Sequence, residues 1–115
     1  PLSLILKKKE GIDTGIGKGM DTFGVRIPDN RFCMELVREF GSAVTTTSAN
    51  LSGSATGRSV EDILAQFGDK AQAIDLVIDA GELPERLPST VVDVSSGVAK
   101  VLREGAIPGS AILSQ

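Results

Sequence analysis

Hydrophobic positions in this chain fall in short blocks that switch between two spacings. Leu2-Ser-Leu-Ile-Leu6 is an apolar run closed by Lys7-Lys8-Lys9-Glu10, and Thr22-Phe-Gly-Val-Arg-Ile27 continues until Pro28 stops it. Both predict β-strands. Between them, Gly11 to Gly19 is a glycine-rich turn region. The spacing then becomes helical: Phe32, Leu36, Val37 and Phe40 share one face, with Asp29 or Asn30 as the cap and Gly41 at the end. Ala43-Val-Thr-Thr-Thr47 is rich in β-branched residues and predicts a strand, whereas Ser48 to Arg58 is mostly small and polar and predicts a loop. Ser59-Val-Glu-Asp62 has the form of a capping box and opens a second helix, with Ile63, Leu64 and Phe67 on its apolar side and Gly68 beyond it. Residues 74–80, 89–94 and 99–103 predict three further strands, the last two joined as antiparallel neighbours by the turn Ser95-Ser96-Gly97. Pro108 begins a short tail. The pattern is that of a mixed α/β (α+β) protein: five or six strands and two helices, layered around one twisted sheet of parallel and antiparallel strands.

Composition narrows the chemistry. The chain has one cysteine, Cys33, and no histidine. That removes Ser-His-Asp and Cys-His catalysis, His-ligated zinc and Cys-x-x-Cys redox chemistry, and leaves hydroxyls, amides, arginines and carboxylates. No apolar stretch approaches bilayer length, and no charged start leads into an apolar segment with a cleavage site, so a cytoplasmic location without membrane contact is expected. The net charge is -3, but it is unevenly spread. Residues 1–58 hold eight Lys/Arg against six Asp/Glu, and residues 59–115 hold four against nine. An anion site sits more easily in the first half. Tryptophan and tyrosine are absent, which leaves four phenylalanines to stack on bases and argues against a single-strand nucleic-acid platform.

The glycines Gly15-Ile-Gly-Lys-Gly19 do not make a phosphate loop. Gly11 is one residue too far from Gly17-Lys18, Gly19 stands where a Ser/Thr would hold Mg²⁺, and a strand follows instead of a helix. The run Thr45-Thr-Thr-Ser-Ala-Asn-Leu-Ser-Gly53 is more informative, because hydroxyls, an amide and a glycine after a strand let the backbone approach an anion closely. By itself it also fits a threonine-rich strand ending in a turn.

Four elements in order carry more than any one alone: Asp21-Thr-x-Gly-Val-Arg-Ile-Pro28, Thr47-Ser-Ala-Asn-Leu-Ser-Gly53, Ser89-Thr-Val-Val-Asp93 and Leu102-Arg-x-Gly-Ala-Ile107. Together they closely resemble the threonylcarbamoyl-AMP synthase family, also called the YrdC-like family, from about Pro1 to Ile107. The resemblance implies a nucleotidyltransferase that joins ATP, L-threonine and bicarbonate into threonylcarbamoyl-adenylate and pyrophosphate, the activated donor for threonylcarbamoyladenosine in tRNA. It implies ATP with Mg²⁺ as the substrate complex, and a downstream threonylcarbamoyl transferase as a partner. It also implies residue roles. Arg26 matches the arginine that pairs with the threonine carboxylate, and Thr46 and Ser89 match threonine contacts. Thr22, Ser48, Thr56 and Arg103 match ATP contacts, and Asn50, close by, is counted with the ATP-binding residues as an organiser of their loop. No residue acts as acid or base: the carbamate formed from threonine and bicarbonate is itself the nucleophile, so the protein positions and neutralises.

This chain departs from the family pattern in two ways. Thr46-Thr47 stand where many relatives have Pro or Ser before Ser-Ala-Asn, which alters side-chain size beside the amino-acid pocket. The family's N-terminal part, with a Lys-x-Arg pair and a further threonine contact, has no counterpart, so residues 1–115 are expected to be the C-terminal portion of a single YrdC-like domain. On that expectation the Leu2–Leu6 strand and one sheet face lie exposed, and the chain alone turns over little. Two other functions fit parts of the pattern. One is the carbamoyl-adenylate-forming domain of carbamoyltransferases, which needs no threonine pocket. The other is a non-catalytic module binding tRNA or double-stranded RNA on a concave basic surface, which the pI of about 4.9 opposes.

Overall fold

In the computed structural model, residues 1–11 and 15–113 are described, Ile16 by its backbone only. The chain divides into two compact units, residues 1–43 with 87–115, and residues 44–86.

The first unit is built on a four-stranded sheet of β1 (Leu2–Lys7), β2 (Thr22–Ile27), β3 (Thr90–Asp93) and β4 (Lys100–Arg103), in the order β2-β1-β3-β4. β1 pairs antiparallel with β2 and parallel with β3, and β3 pairs antiparallel with β4. This is the mixed sheet that the sequence predicts. The Ser95-Ser96-Gly97 connection closes with Gly97 N donating to Val94 O at 3.2 Å, and Ser95 N donates to the Asp93 carboxylate at 2.8 Å. Side-chain direction alternates along each strand, so the sheet has two unlike faces. Leu2, Leu4 and Leu6 share one face with Phe23, Val25, Ile27, Thr90 and Val92, because paired residues point the same way. Val92 and Thr90 are fully buried. β1 is half-buried through Leu6, while Phe23, Val25 and Ile27 on β2 are exposed. Exposure is therefore higher on the two edge strands, β2 and β4, than on β1, and Leu2–Leu6 are half-buried where the expectation had them exposed.

Helix α1 (Arg31–Phe40) begins where Asn30 accepts from Cys33 N at 3.0 Å. It ends at Gly41, whose positive φ of 72° lets its N–H reach back to Val37 O and Arg38 O. In the second unit, helix α2 (Val60–Phe67) is capped by Ser59, which accepts from Asp62 N at 3.1 Å. A 3₁₀ segment, Gly68–Ala73, follows it. The Arg58–Glu82 ion pair, together with Leu83 N donating to Arg58 O at 2.8 Å, ties the later part of this unit to the start of α2.

Three sequence expectations need correction. Residues 43–47 and 74–80 form no strand, since neither run takes part in a ladder among the described residues. The sheet therefore has four strands, not five or six. The tail after Pro108 folds into a short helix α3 (Gly109–Leu113), with Ala111 N donating to Pro108 O. In the glycine-rich turn, residues 12–14 lie outside the described residues. Gly15–Gly17 forms one 3₁₀ turn, onto which Lys8 Nζ donates at Gly17 O. No described helix is long and apolar enough to cross a membrane.

Candidate functional site

The second sheet face carries the polar candidates. Ser3 pairs with both Arg26 and Val91, and Val91 pairs with Arg103, so Arg26, Ser3, Val91 and Arg103 form one row across all four strands. Three inter-strand steps of ~4.8 Å put the backbones of the two arginines about 14 Å apart. Thr22 lies on the same face as Arg26, four residues along β2 and opposite Lys7.

Ser89, one residue before β3, points to this face as Val91 does. Its hydroxyl lies 2.9 Å from that of Ser3. Arg103 folds back over it: Nε and Nη2 donate to Ser89 O at 3.2 and 2.8 Å, and Nη2 reaches Ser89 Oγ at 3.3 Å. Two residues that the resemblance assigns to different substrates are thus in direct contact. Arg26 is exposed at the open end of the row. Asp93 lies further along this face, its carboxyl held below the usual carboxylate value by the hydrogen bonds from the Ser95 side chain and backbone, with Lys100 adding to them and slight burial opposing.

The turn from β4 is fixed from behind by Thr90. Its hydroxyl donates to Ile107 O at 2.5 Å and accepts from Gly105 N at 3.0 Å and Ile107 N at 3.1 Å. Gly105 is required by crowding, because a Cβ there would sit 2.1 Å from Pro88 O and 2.8 Å from Ser89 C. Backbone 104–107 therefore presses directly on the backbone that presents Ser89.

The second unit carries Thr46, Ser48, Asn50 and Thr56. Thr46, Ser48 and Thr56 are exposed and Asn50 is half-buried. The Asn50 amide donates to Leu51 O and Ser54 O, both at 2.9 Å, and its oxygen accepts from Thr56 Oγ1 at 3.4 Å. Asn50 thus spends its polar groups on shaping the loop, as a loop organiser does. Gln66 of α2 completes the arrangement, accepting from Leu51 N at 2.7 Å and donating to Ala55 O at 3.0 Å.

Sequence reasoning missed Ser3, Thr90, Gly105 and Gln66. One signal was available for Gln66: it is a polar residue on the helix face that carries Ile63 and Phe67. Ser3 offered a weaker one, as the only hydroxyl in an apolar strand.

A mixed sheet with an arginine at each end of a hydroxyl-bearing row is a scaffold for an elongated anionic ligand. Residues 1–105 match the model of the Sua5/YciO/YrdC family, described as telomere recombination, and the chain belongs to that family. It is 38% identical over 112 residues to a threonylcarbamoyl-AMP synthase of Rattus norvegicus, covering 91% of this chain and 39% of the relative. A putative threonylcarbamoyl-AMP synthase of Methanocaldococcus jannaschii is 38% identical over 109 residues, with 94% and 48% covered. The structure of Pyrococcus abyssi Sua5 complexed with L-threonine aligns with a TM-score of 0.78 and 31% identity, over 98% of this chain and 32% of that one. The chain spans less than half the length of these relatives.

Proposed function

We propose that the native gene product is an L-threonylcarbamoyladenylate synthase, acting in the cytoplasm to supply the activated donor for a tRNA threonylcarbamoyl transferase. The observation that supports this most is the row Arg26–Ser3–Val91–Arg103 with the Ser89 hydroxyl beside it. One guanidinium stands at each end, suited to an amino-acid carboxylate and to a phosphate.

In this reading Arg26 pairs with the threonine carboxylate, while Ser89 and Thr46 offer neutral groups to the rest of the amino acid. In the first unit Thr22 and Arg103, and in the second Ser48 and Thr56, are the residues read as ATP contacts, and ATP brings its Mg²⁺ on the phosphates. Asn50 shapes the loop that presents Ser48 and Thr56. The threonine amine and bicarbonate condense to a carbamate with loss of water. A carbamate oxygen attacks the α-phosphorus, its bond to the β-phosphate bridging oxygen breaks, and pyrophosphate leaves. The guanidinia offset charge as it moves onto the leaving group. No side chain has to accept a proton in the phosphorus step, which suits a chain without histidine.

The test is pyrophosphate release by the native gene product. Release that needs ATP, threonine and bicarbonate together is the expected result. Turnover on carbamoyl phosphate that ignores threonine would move the protein to the carbamoyltransferase relatives. Tight double-stranded RNA binding at physiological salt without turnover would make it an RNA-binding module.

A further inference from the structure

The loop that carries the Ser-Ala-Asn element is held from outside by one side chain. Gln66 is the seventh of the eight residues of α2, half-buried, and its amide uses both ends. Oε1 accepts from Leu51 N at 2.7 Å and Nε2 donates to Ala55 O at 3.0 Å. These two backbone groups bracket residues 51–55. Asn50 lies immediately before the bracket and Thr56 immediately after it, and the two meet across it at 3.4 Å. Inside the bracket, Ser54 N donates to Leu51 O at 2.9 Å, a single turn of backbone. Without Gln66, the loop would keep its internal bonds but lose its tie to a regular element.

We infer that Gln66 is a positioning residue for the nucleotide side of the site, clamping the 51–55 loop onto α2 so that Ser48 and Thr56 are presented in one arrangement. The inference rests on the ATP-binding reading of those two residues. The Gln66 side chain's hydrogen bonds to Leu51 and Ala55 both go to loop backbone. Its effect is on the fraction of molecules in which the loop is ordered, and apparent affinity falls in proportion to that fraction. The amide is suited to the task because it offers one acceptor and one donor on a single rigid plane, matching an N–H and a C=O four residues apart. Glutamate keeps the acceptor for Leu51 N but has no donor for Ala55 O at neutral pH. Leucine keeps the side-chain volume and helix propensity and removes both bonds.

The experiment compares the native gene product with its Gln66→Leu and Gln66→Glu variants, using amide hydrogen exchange at Leu51 and steady-state pyrophosphate release. With Gln66→Leu, exchange at Leu51 speeds up and KM for ATP rises about tenfold, while KM for threonine and kcat stay within about twofold. Gln66→Glu falls between this variant and the unaltered protein. Faster exchange with an unmoved KM for ATP overturns the proposal by making the clamp purely structural. Unchanged exchange overturns it by showing no clamp. Equal rises in both KM values also overturn it. Failure of the unaltered protein to bind ATP strikes the nucleotide reading itself, a result separate from any behaviour of the variants.

Discussion

Thr90→Val replaces a hydroxyl by a methyl, and its cost follows from three hydrogen bonds of that hydroxyl. Thr90 is completely buried, and its hydroxyl donates to Ile107 O while accepting from Gly105 N and Ile107 N. Valine fills the same volume but leaves two amides and a carbonyl without that partner in a place water does not reach. At the low end of about 1 kcal/mol for each orphaned group, the loss is about 3 kcal/mol. The extra buried methyl returns about 1 kcal/mol. The net destabilisation is then at least about 2 kcal/mol, against a total of roughly 6–17 kcal/mol for a chain of this length. Thr90→Ser keeps the hydroxyl and loses a methyl, which costs about 1 kcal/mol. Urea unfolding monitored by circular dichroism ranks the three proteins: unaltered first, serine second, valine last, with equal m-values. Hydrogen exchange at Gly105 and Ile107 quickens in the valine variant alone. A valine midpoint at or above that of serine would falsify the three-contact account.

Gly105→Ala drives a Cβ into the backbone of Pro88 and Ser89, so the 104–107 segment must shift; a loss of about 3 kcal/mol or more is expected in the same unfolding assay, and an unchanged midpoint refutes the close approach. The Asp93 pKa is lowered from 3.8 in the fold. The stability it contributes is therefore present above pH 3.8 and is lost as pH falls through the folded value. Asp93→Asn should flatten that part of the acid unfolding curve, and an identical curve for both proteins would remove Asp93 as its source. Arg26→Ala should weaken threonine use by roughly 30-fold to 1000-fold, from about 2–4 kcal/mol of lost bidentate pairing, with ATP binding less changed and Arg26→Lys recovering little. Arg103→Ala should weaken ATP first and threonine second, because its guanidinium also holds Ser89; equal effects of both alanine substitutions on both ligands would end the division of labour.

Elements whose signals are local were legible. The Asn30 and Ser59 caps, the Gly41 stop and the β3–β4 connection each depend on residues within a few positions of one another. The runs 43–47 and 74–80 misled for the opposite reason. β-branched content and alternation describe a surface fit to pair, and a strand exists only where another strand supplies the hydrogen bonds. The arginine row was equally hidden, since its register depends on pairing Ser3 with Val91 across most of the chain. Motif order carries no sign that Arg103 lies on Ser89, a contact that follows from the strand pairing and the side-chain hydrogen bonds. Thr90 gave no sequence signal and Gln66 only its polar place on the α2 face, because their partners are backbone groups 11–17 positions away, which carry no side-chain signature.

The parallel pairing of β1 with β3 also sets an order of events during synthesis. β1 and β2 can zip soon after residue 27 leaves the ribosome, but Leu2 meets Thr90 only 88 residues later in the chain. β3 begins 63 residues after the end of β2, so at roughly 5–20 residues per second the β1–β2 pair waits about 3–13 s. Through that interval the Leu2, Leu4 and Leu6 side chains lack the neighbours that β3 brings, and the β1 edge that will pair with β3 is not yet covered by it. Such an edge can template pairing with another nascent chain. Closing so long a loop is also slow compared with forming either hairpin. The pairing thus favours a route in which the β1–β2 hairpin forms first and β3–β4 docks on it through the parallel β1–β3 ladder.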